Sequence, residues 1–369
     1  MKKIFAVLLV ALLCTLLFAC QPAGGGDTGG GSKDTYDVVM VTDLGGVDDG
    51  SFNQGTWEGI VRYCTENNVS HTYLRPIEQT TDGYLTSIEQ AVNMGAKIIL
   101  CPGFLFETAI YQAQDMYPET MFVLIDGNPQ AGDYATYRTN DNVYAMCFSE
   151  QETGFLAGYA CVMDGYRQLA FFGGMAVPAV VRFGYGWVEG AEYAAKELGL
   201  SAGEVEMIYW YSGDFDPSPS KLTTVTGWYE TGTEVIFSCG GTILENVITA
   251  AEGMEGKYIV GVDVDQGHMS NLIITSAMKN LGNVCYQELT NFFNGDFKGG
   301  DYILGTSVGM VGLPDDFSRF NNFTKADYDA IYALLANDTG GLASGLCKEG
   351  DAETPDLLPL ELVKITYIA

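Results

Sequence analysis

The sequence predicts an α/β protein of two doubly wound, parallel-sheet lobes with a ligand cleft between them. Three observations lead there. Short apolar runs alternate with helical patterns from residue 36 onward, as in parallel strands linked by crossover helices. The alternation breaks over residues 127–148 and resumes at Glu150, which gives two sets of units. The foldable part, about 330 residues, exceeds one small core. Two such lobes leave a cleft that closes on a ligand by a hinge.

The first set opens with a strand over 38–42 and a helix over 53–67. A strand over 70–75 and a helix over 83–95 follow, the latter with Leu85, Ile88 and Val92 at helical spacing. Residues 97–101 read as a buried strand, 105–116 as a helix and 121–126 as a strand. The second set starts with a helix over 150–163, a strand over 168–172 and a long helix over 179–198. Next come a strand at 204–209, a helix at 218–229, a strand at 235–239 and a helix at 241–252. Strands at 257–262 and 272–275 follow. A helix at 281–296, a strand at 302–308 and a helix at 325–336 come next. Residues 362–367 alternate like an edge strand.

The N-terminus is of another kind. Met1-Lys2-Lys3 precedes an apolar run from Ile4 to Ala19, short for a membrane span. The run closes on Leu17-Phe18-Ala19-Cys20, which resembles the bacterial lipobox. Residues 1–19 are then a lipoprotein signal peptide, and Cys20 is lipidated. Residues 20–34 are Gly-rich and read as a flexible tether. The expectation is a folded body hung from the extracytoplasmic face of the cell membrane.

The formal charge is −29, and loss of Lys2 and Lys3 makes it more negative. Such a chain is repelled by nucleic acid and by anionic lipid. Nucleic acid is therefore excluded as a partner, and the anchor holds the protein at the membrane. Seven cysteines remain beyond Cys14 and Cys20, an odd number without a C-x-x-C pair. Most lie in apolar runs and read as small buried hydrophobes, which disfavours a disulfide framework.

Several catalytic motifs fail on context. Gly305-Thr-Ser-Val-Gly309 has the letters of a nucleophile elbow, but no helix start and no histidine follow it. Phosphate loops are absent. The two histidines, His71 and His268, belong to no metal-spaced set. No metal and no cofactor are expected.

The remaining candidates share one placement: each follows a strand, where open α/β sheets bind ligands. Asp43 ends the first strand, and Phe52 and Asn53 start the helix after it. Ser51 or Asp49 is expected to cap that helix. Asp126, Phe215, Gly240-Gly241, Asp263, Asp265 and Lys279 follow later strands. Singly, such an aspartate is a helix cap and such a phenylalanine is core. As a set they suit a neutral, hydroxyl-rich ligand with a flat ring. Carboxylates accept from vicinal hydroxyls, Lys279 neutralises one of them and donates, and Phe52 and Phe215 sandwich a base.

Five segments, in order, resemble the basic membrane protein family of lipoproteins in its purine nucleoside receptor type. They are Asp48-Asp-Gly-Ser-Phe-Asn-Gln54, Glu152-Thr-Gly-Phe-Leu-Ala-Gly-Tyr159, Phe172 through Gly186, Gly261-Val-Asp-Val-Asp-Gln266 and Thr275-Ser-Ala-Met-Lys279. The resemblance implies the type I periplasmic-binding-protein fold. It implies nucleoside delivery to the permease and ATPase of an ABC importer. It also implies that Phe52 and Phe215 stack the base, and that Asp43, Asn53 and Asp126 bond base or ribose. Asp263 and Lys279 would hold the ribose hydroxyls, and Gly241 would allow close approach. Asp265 is an alternative to Asp263, and Gln54 is a further candidate. The implied lobes are 35–140 with 277–302, and 141–276 with 303–369. Residues 310–369 match no motif.

The expected protein is a monomeric, lipid-anchored nucleoside receptor without catalytic residues. A sugar or signal-molecule receptor of the same fold is the nearest rival. A nucleoside-cleaving enzyme is the more distant one, since Asp48-Asp49 is the sole adjacent acidic pair near the first strand.

Overall fold

The computed structural model describes residues 35–43 and 45–369. The signal segment 1–19, Cys20 and the tether 20–34 lie outside the described residues.

The first units run β1 (Val38–Val41), α1 (Phe52–Asn67), β2 (His71–Leu74), α2 (Thr81–Asn93), β3 (Ile98–Pro102), α3 (Glu107–Met116), β4 (Met121–Ile125) and β5 (Val143–Phe148). The second run is α4 (Glu150–Asp164), β6 (Gln168–Gly173), α5 (Pro178–Glu197), β7 (Glu206–Tyr211), α6 (Pro219–Glu230), β8 (Val235–Cys239), α7 (Leu244–Ala251), β9 (Tyr258–Asp263) and β10 (Ile273–Lys279). Then come α8 (Leu281–Asn294), β11 (Gly300–Leu304), β12 (Val311–Gly312), α9 (Lys325–Ala336) and β13 (Lys364–Ile368).

These strands form two sheets. The first has the order β11-β5-β4-β3-β1-β2, parallel throughout. The second has the order β12-β10-β9-β8-β6-β7-β13, parallel except for β12. Both are covered on two faces, which is why their strands read as continuous apolar runs. Val38 and Met40 pack toward α1 and α8, while Val39 and Val41 pack toward α2 and α3. In the second sheet Leu169 and Phe171 face α4, α5 and α9, and Ala170 and Phe172 face α6 and α7.

Helices α4 and α5 meet along glycines. A Cβ on Gly154 would lie 2.2 Å from Phe183 O, and one on Gly158 2.1 Å from Trp187 O. Reciprocally, a Cβ on Gly186 or Gly190 would lie 2.0 Å from Gln151 O or Phe155 O. Four-residue glycine spacing on both helices lets the backbones touch, as in membrane helix pairs.

The chain passes between sheets at Ser149, Asn280 and Gly305, later than the expected points near 140, 277 and 303. The reason is β5. Residues 127–142 are a polar loop within the first sheet, pinned by Glu107, which accepts from Asn128 N–H at 2.9 Å. The apolar run after it pairs with β4 and remains in that sheet. The strand expected at 302–308 stops at Leu304, and a 3-10 turn over Thr306–Val308 follows. There Glu152 accepts from the Thr306 amide and hydroxyl at 2.7 and 2.6 Å. The motif-free C-terminal stretch completes the second sheet, with β12 and β13 as its two edges. All seven described cysteines are unpaired.

Candidate functional site

A cavity of about 440 Å³ opens beyond the carboxyl ends of β1, β4, β8, β9 and β10, the usual ligand position in such sheets. Asp43, Phe52, Asn53, Asp126, Phe215, Gly241, Asp263 and Lys279 all line it. Asp265 and Gln54 do not. The Asp265 carboxylate accepts from Gly267 N–H at 2.9 Å. Gln54 is spent locally, accepting from Gly50 N–H and donating to Glu58.

The loop between β1 and α1 builds one wall. Asp49, not Ser51, caps α1: its carboxylate accepts from the amides of Ser51, Asn53 and Gln54 at 2.9 to 3.0 Å. Burial pushes the Asp49 carboxyl up in pKa, against the pull of those bonds. Ser51 is thereby free to donate to Asp263 Oδ2, at 2.6 Å. Asn53 Nδ2 donates to Asp43 Oδ1 at 2.8 Å and to Asp49 Oδ2 at 3.1 Å. Asp43 lies so close to Gly103 that a Cβ there would sit 2.7 Å from Asp43 Oδ2, and Gly103 has φ +115°. Only glycine satisfies both demands.

Lys279, the last residue of β10, occupies the centre. Its side chain is 2% exposed, and Nζ lies 2.5 Å from Asp126 Oδ2, 3.3 Å from Asp263 Oδ1 and 3.4 Å from Glu150 Oε1. Both aspartates have left-handed backbones, at φ +61° and +66°, strain that concentrates at functional sites. Burial opposes the charge on Lys279, but Asp126, Asp263 and Glu150 outweigh it and hold the ammonium above its usual range. Burial likewise opposes the charge on Glu150, yet Arg182 and Lys279 hold its carboxyl below the usual range. Arg182 Nε lies 2.6 Å from Glu150 Oε2. Asp126 goes the other way: burial raises it to about 7 despite Lys279. Its Oδ1 is buried and has no hydrogen-bond partner among the described residues, an acceptor suited to a ligand hydroxyl.

The aromatic groups come from both sheets. Phe52 begins α1, and Lys279 Nζ lies 4.5 Å from its ring centroid. Phe215 sits on the loop after β7. Its ring packs where side chains at Gly174 and Gly240 would be: a Cβ there would come within 2.2 and 2.9 Å of it. Gly241, at φ +55°, continues the turn.

Sequence reasoning missed several lining residues: Asp48, Arg75, Phe104, Val177, Phe183, Asp216 and Thr242. Val177 and Phe183 lie inside a segment already singled out, but nothing in it tells a lining face from a core face. Glu150, behind Lys279, follows β5, the strand that was not foreseen.

The segment 36–335 matches the family model described as Bmp, ABC transporter substrate-binding protein PnrA-like. The chain belongs to the Bmp family. Among curated Bmp relatives, the "ABC transporter nucleoside-binding protein BmpA" of Lactococcus lactis is 26% identical over 89% of this chain and 97% of that protein. "Basic membrane protein A2" of Borrelia garinii is 30% identical over 83% and 86%. Among solved structures, an ABC transporter system solute-binding protein from Aeropyrum pernix K1 is 26% identical, with a TM-score of 0.67 over 84% of this chain and 82% of that one. This Bmp protein is therefore a substrate-binding protein of the ABC-transporter type and not an enzyme, and its two sheets have the type I periplasmic-binding arrangement.

Proposed function

We propose that the protein captures nucleosides, purine nucleosides first, by closing its two sheets around them, and presents them to the permease of an ABC importer. Lipidated Cys20 tethers it, as a monomer, to the outer side of the cell membrane. The observation that carries the ligand reading is one cavity holding both Phe52 and Phe215 together with Lys279 between Asp126 and Asp263. Two rings give a planar base two faces, at roughly 1–3 kcal/mol each. Hydroxyl donors on a carboxylate contribute roughly 1.5–3 kcal/mol each. Among the described residues, six aspartates line the cavity against Lys279 and Arg75, so a phosphate meets repulsion and the nucleoside is favoured over the nucleotide. The Lactococcus relative's name, a nucleoside-binding protein, agrees.

The test is a thermal-shift screen of ligand-stripped protein against guanosine, adenosine, uridine, free bases, nucleotides and simple sugars. Ligand at a thousandfold excess over Kd stabilises by about 4 kcal/mol. Shifts with nucleosides and none with nucleotides or sugars are expected. A shift with sugars alone would replace the nucleoside reading with the sugar-receptor one.

A further inference from the structure

The loop that carries Phe215 is tied at its start to the end of β6, where Ser212 and Gly213 donate their amides to Gly173 O and Gly174 O at 2.9 and 3.1 Å. Gly213, Asp214, Asp216 and Pro217 are exposed, and Gly213 has a left-handed backbone at φ +91°. Lys221 is the exception in its surroundings. It lies in the first turn of α6 and is only 4% exposed. Both facts are unfavourable in themselves. A cation at a helix N-terminus opposes the helix dipole, and a buried ammonium loses its hydration. The side chain recovers this by turning back onto the loop. Lys221 Nζ donates to Asp214 O at 3.2 Å, to Asp216 O at 2.7 Å and to the Asp214 carboxylate. The two carbonyls bracket Phe215. Asp214 Oδ1 also accepts from Asp216 N–H at 2.8 Å, and Thr242 Oγ1 donates to Phe215 O at 2.8 Å.

We propose that Lys221 is a positioning residue for ligand binding: its buried ammonium holds the backbone on both sides of Phe215 and so fixes the ring over the cavity. The proposal rests on the nucleoside reading above for the identity of the ligand. Lys221 does not line the cavity and acts through the loop it holds, chiefly through Phe215, with Asp216 beside it. Without it, the loop must be ordered at the moment of binding, and that entropy is subtracted from affinity.

Two experiments on the whole protein test this. The first is a double-mutant cycle on guanosine affinity by calorimetry, with Lys221→Met, Phe215→Ala, both together, and Lys221→Arg. Lys221→Met is expected to weaken binding about tenfold in the parent protein and less than about twofold when Phe215→Ala is already present. Lys221→Arg keeps the donors and restores most of the affinity. An equal loss in both backgrounds would show that Lys221 acts elsewhere, and the proposal would fall. The second is hydrogen exchange without ligand. Lys221→Met should speed exchange at residues 212–218 and leave the strands of both sheets unchanged. Unaltered exchange there would also overturn the proposal. Parent protein that binds no nucleoside would refute the ligand reading, while the exchange experiment would still decide the role of Lys221.

Discussion

Ser51 donates its hydroxyl to Asp263 Oδ2 at 2.6 Å, although 212 residues separate them. One stands on the first sheet's leading loop and the other at the end of β9 in the second. Gln266 adds a parallel link, donating from Nε2 to Gly50 O at 3.0 Å. Ser51→Ala removes a charge-directed bond and should cost about 1.5–3 kcal/mol in urea unfolding. A cost near zero would mean that solvent replaces the hydroxyl.

Lys279 has three carboxylate neighbours. Lys279→Met leaves them buried with less compensation and should destabilise the protein by about 3–5 kcal/mol. Its ligand effect is better read in Lys279→Ala by comparing guanosine with guanine. Affinity for the riboside should fall further than affinity for the free base. Equal losses would remove Lys279 from the ribose end.

Phe215 is half-buried and leans on two glycines. Phe215→Ala should weaken nucleoside binding more than about tenfold, the worth of one stacked face. The unfolding midpoint should move little. Unchanged affinity would discard the aromatic sandwich.

Asp126 supplies a pH prediction. Burial raises its pKa from an ordinary value of 3.8 to about 7. The folded protein therefore binds this proton more tightly than the unfolded chain does. The associated stability is complete below pH 3.8 and is lost as pH rises through 7. Asp126→Asn has no proton to lose. The stability of the parent relative to the variant should therefore fall by a few kcal/mol between about pH 4 and 8. Parallel curves for the two proteins would contradict the raised value.

The α4–α5 seam has no room for a methyl group. Gly186→Ala would place a Cβ 2.0 Å from Gln151 O, a backbone atom that cannot rotate away. A loss of about 3 kcal/mol or more is expected from the denaturation midpoint. Gly227, with nothing within 4 Å of its notional Cβ, is the control, and Gly227→Ala should be nearly neutral or stabilising.

The sheet lobes were legible because strands covered on both faces are apolar throughout, and the runs around Val38, Ile98 and Val235 carry that signal without help from the rest of the fold. The cavity residues were legible for a related reason: knowing where a strand stops locates its ligand-facing end. The same rule explains the omissions. Val143–Phe148 follows a long polar loop, so its strand went unseen, and with it Glu150 just beyond. The left-handed backbones of Asp126 and Asp263 and the diversion of Ser51 from capping to Asp263 depend on neighbours brought in from other strands. Local spacing carries no trace of them.

The position of Lys279 beside a chain crossing has a mechanical consequence. The chain crosses between the sheets at Ser149, Asn280 and Gly305, so any turn of one sheet against the other must be borne by those three connections. Lys279 and Glu150 each adjoin one of them, and their ion pair, with Nζ 3.4 Å from Oε1, joins two of the crossings directly. The central charges of the cavity therefore stand on the connections themselves, where a turn of one sheet against the other would displace them least.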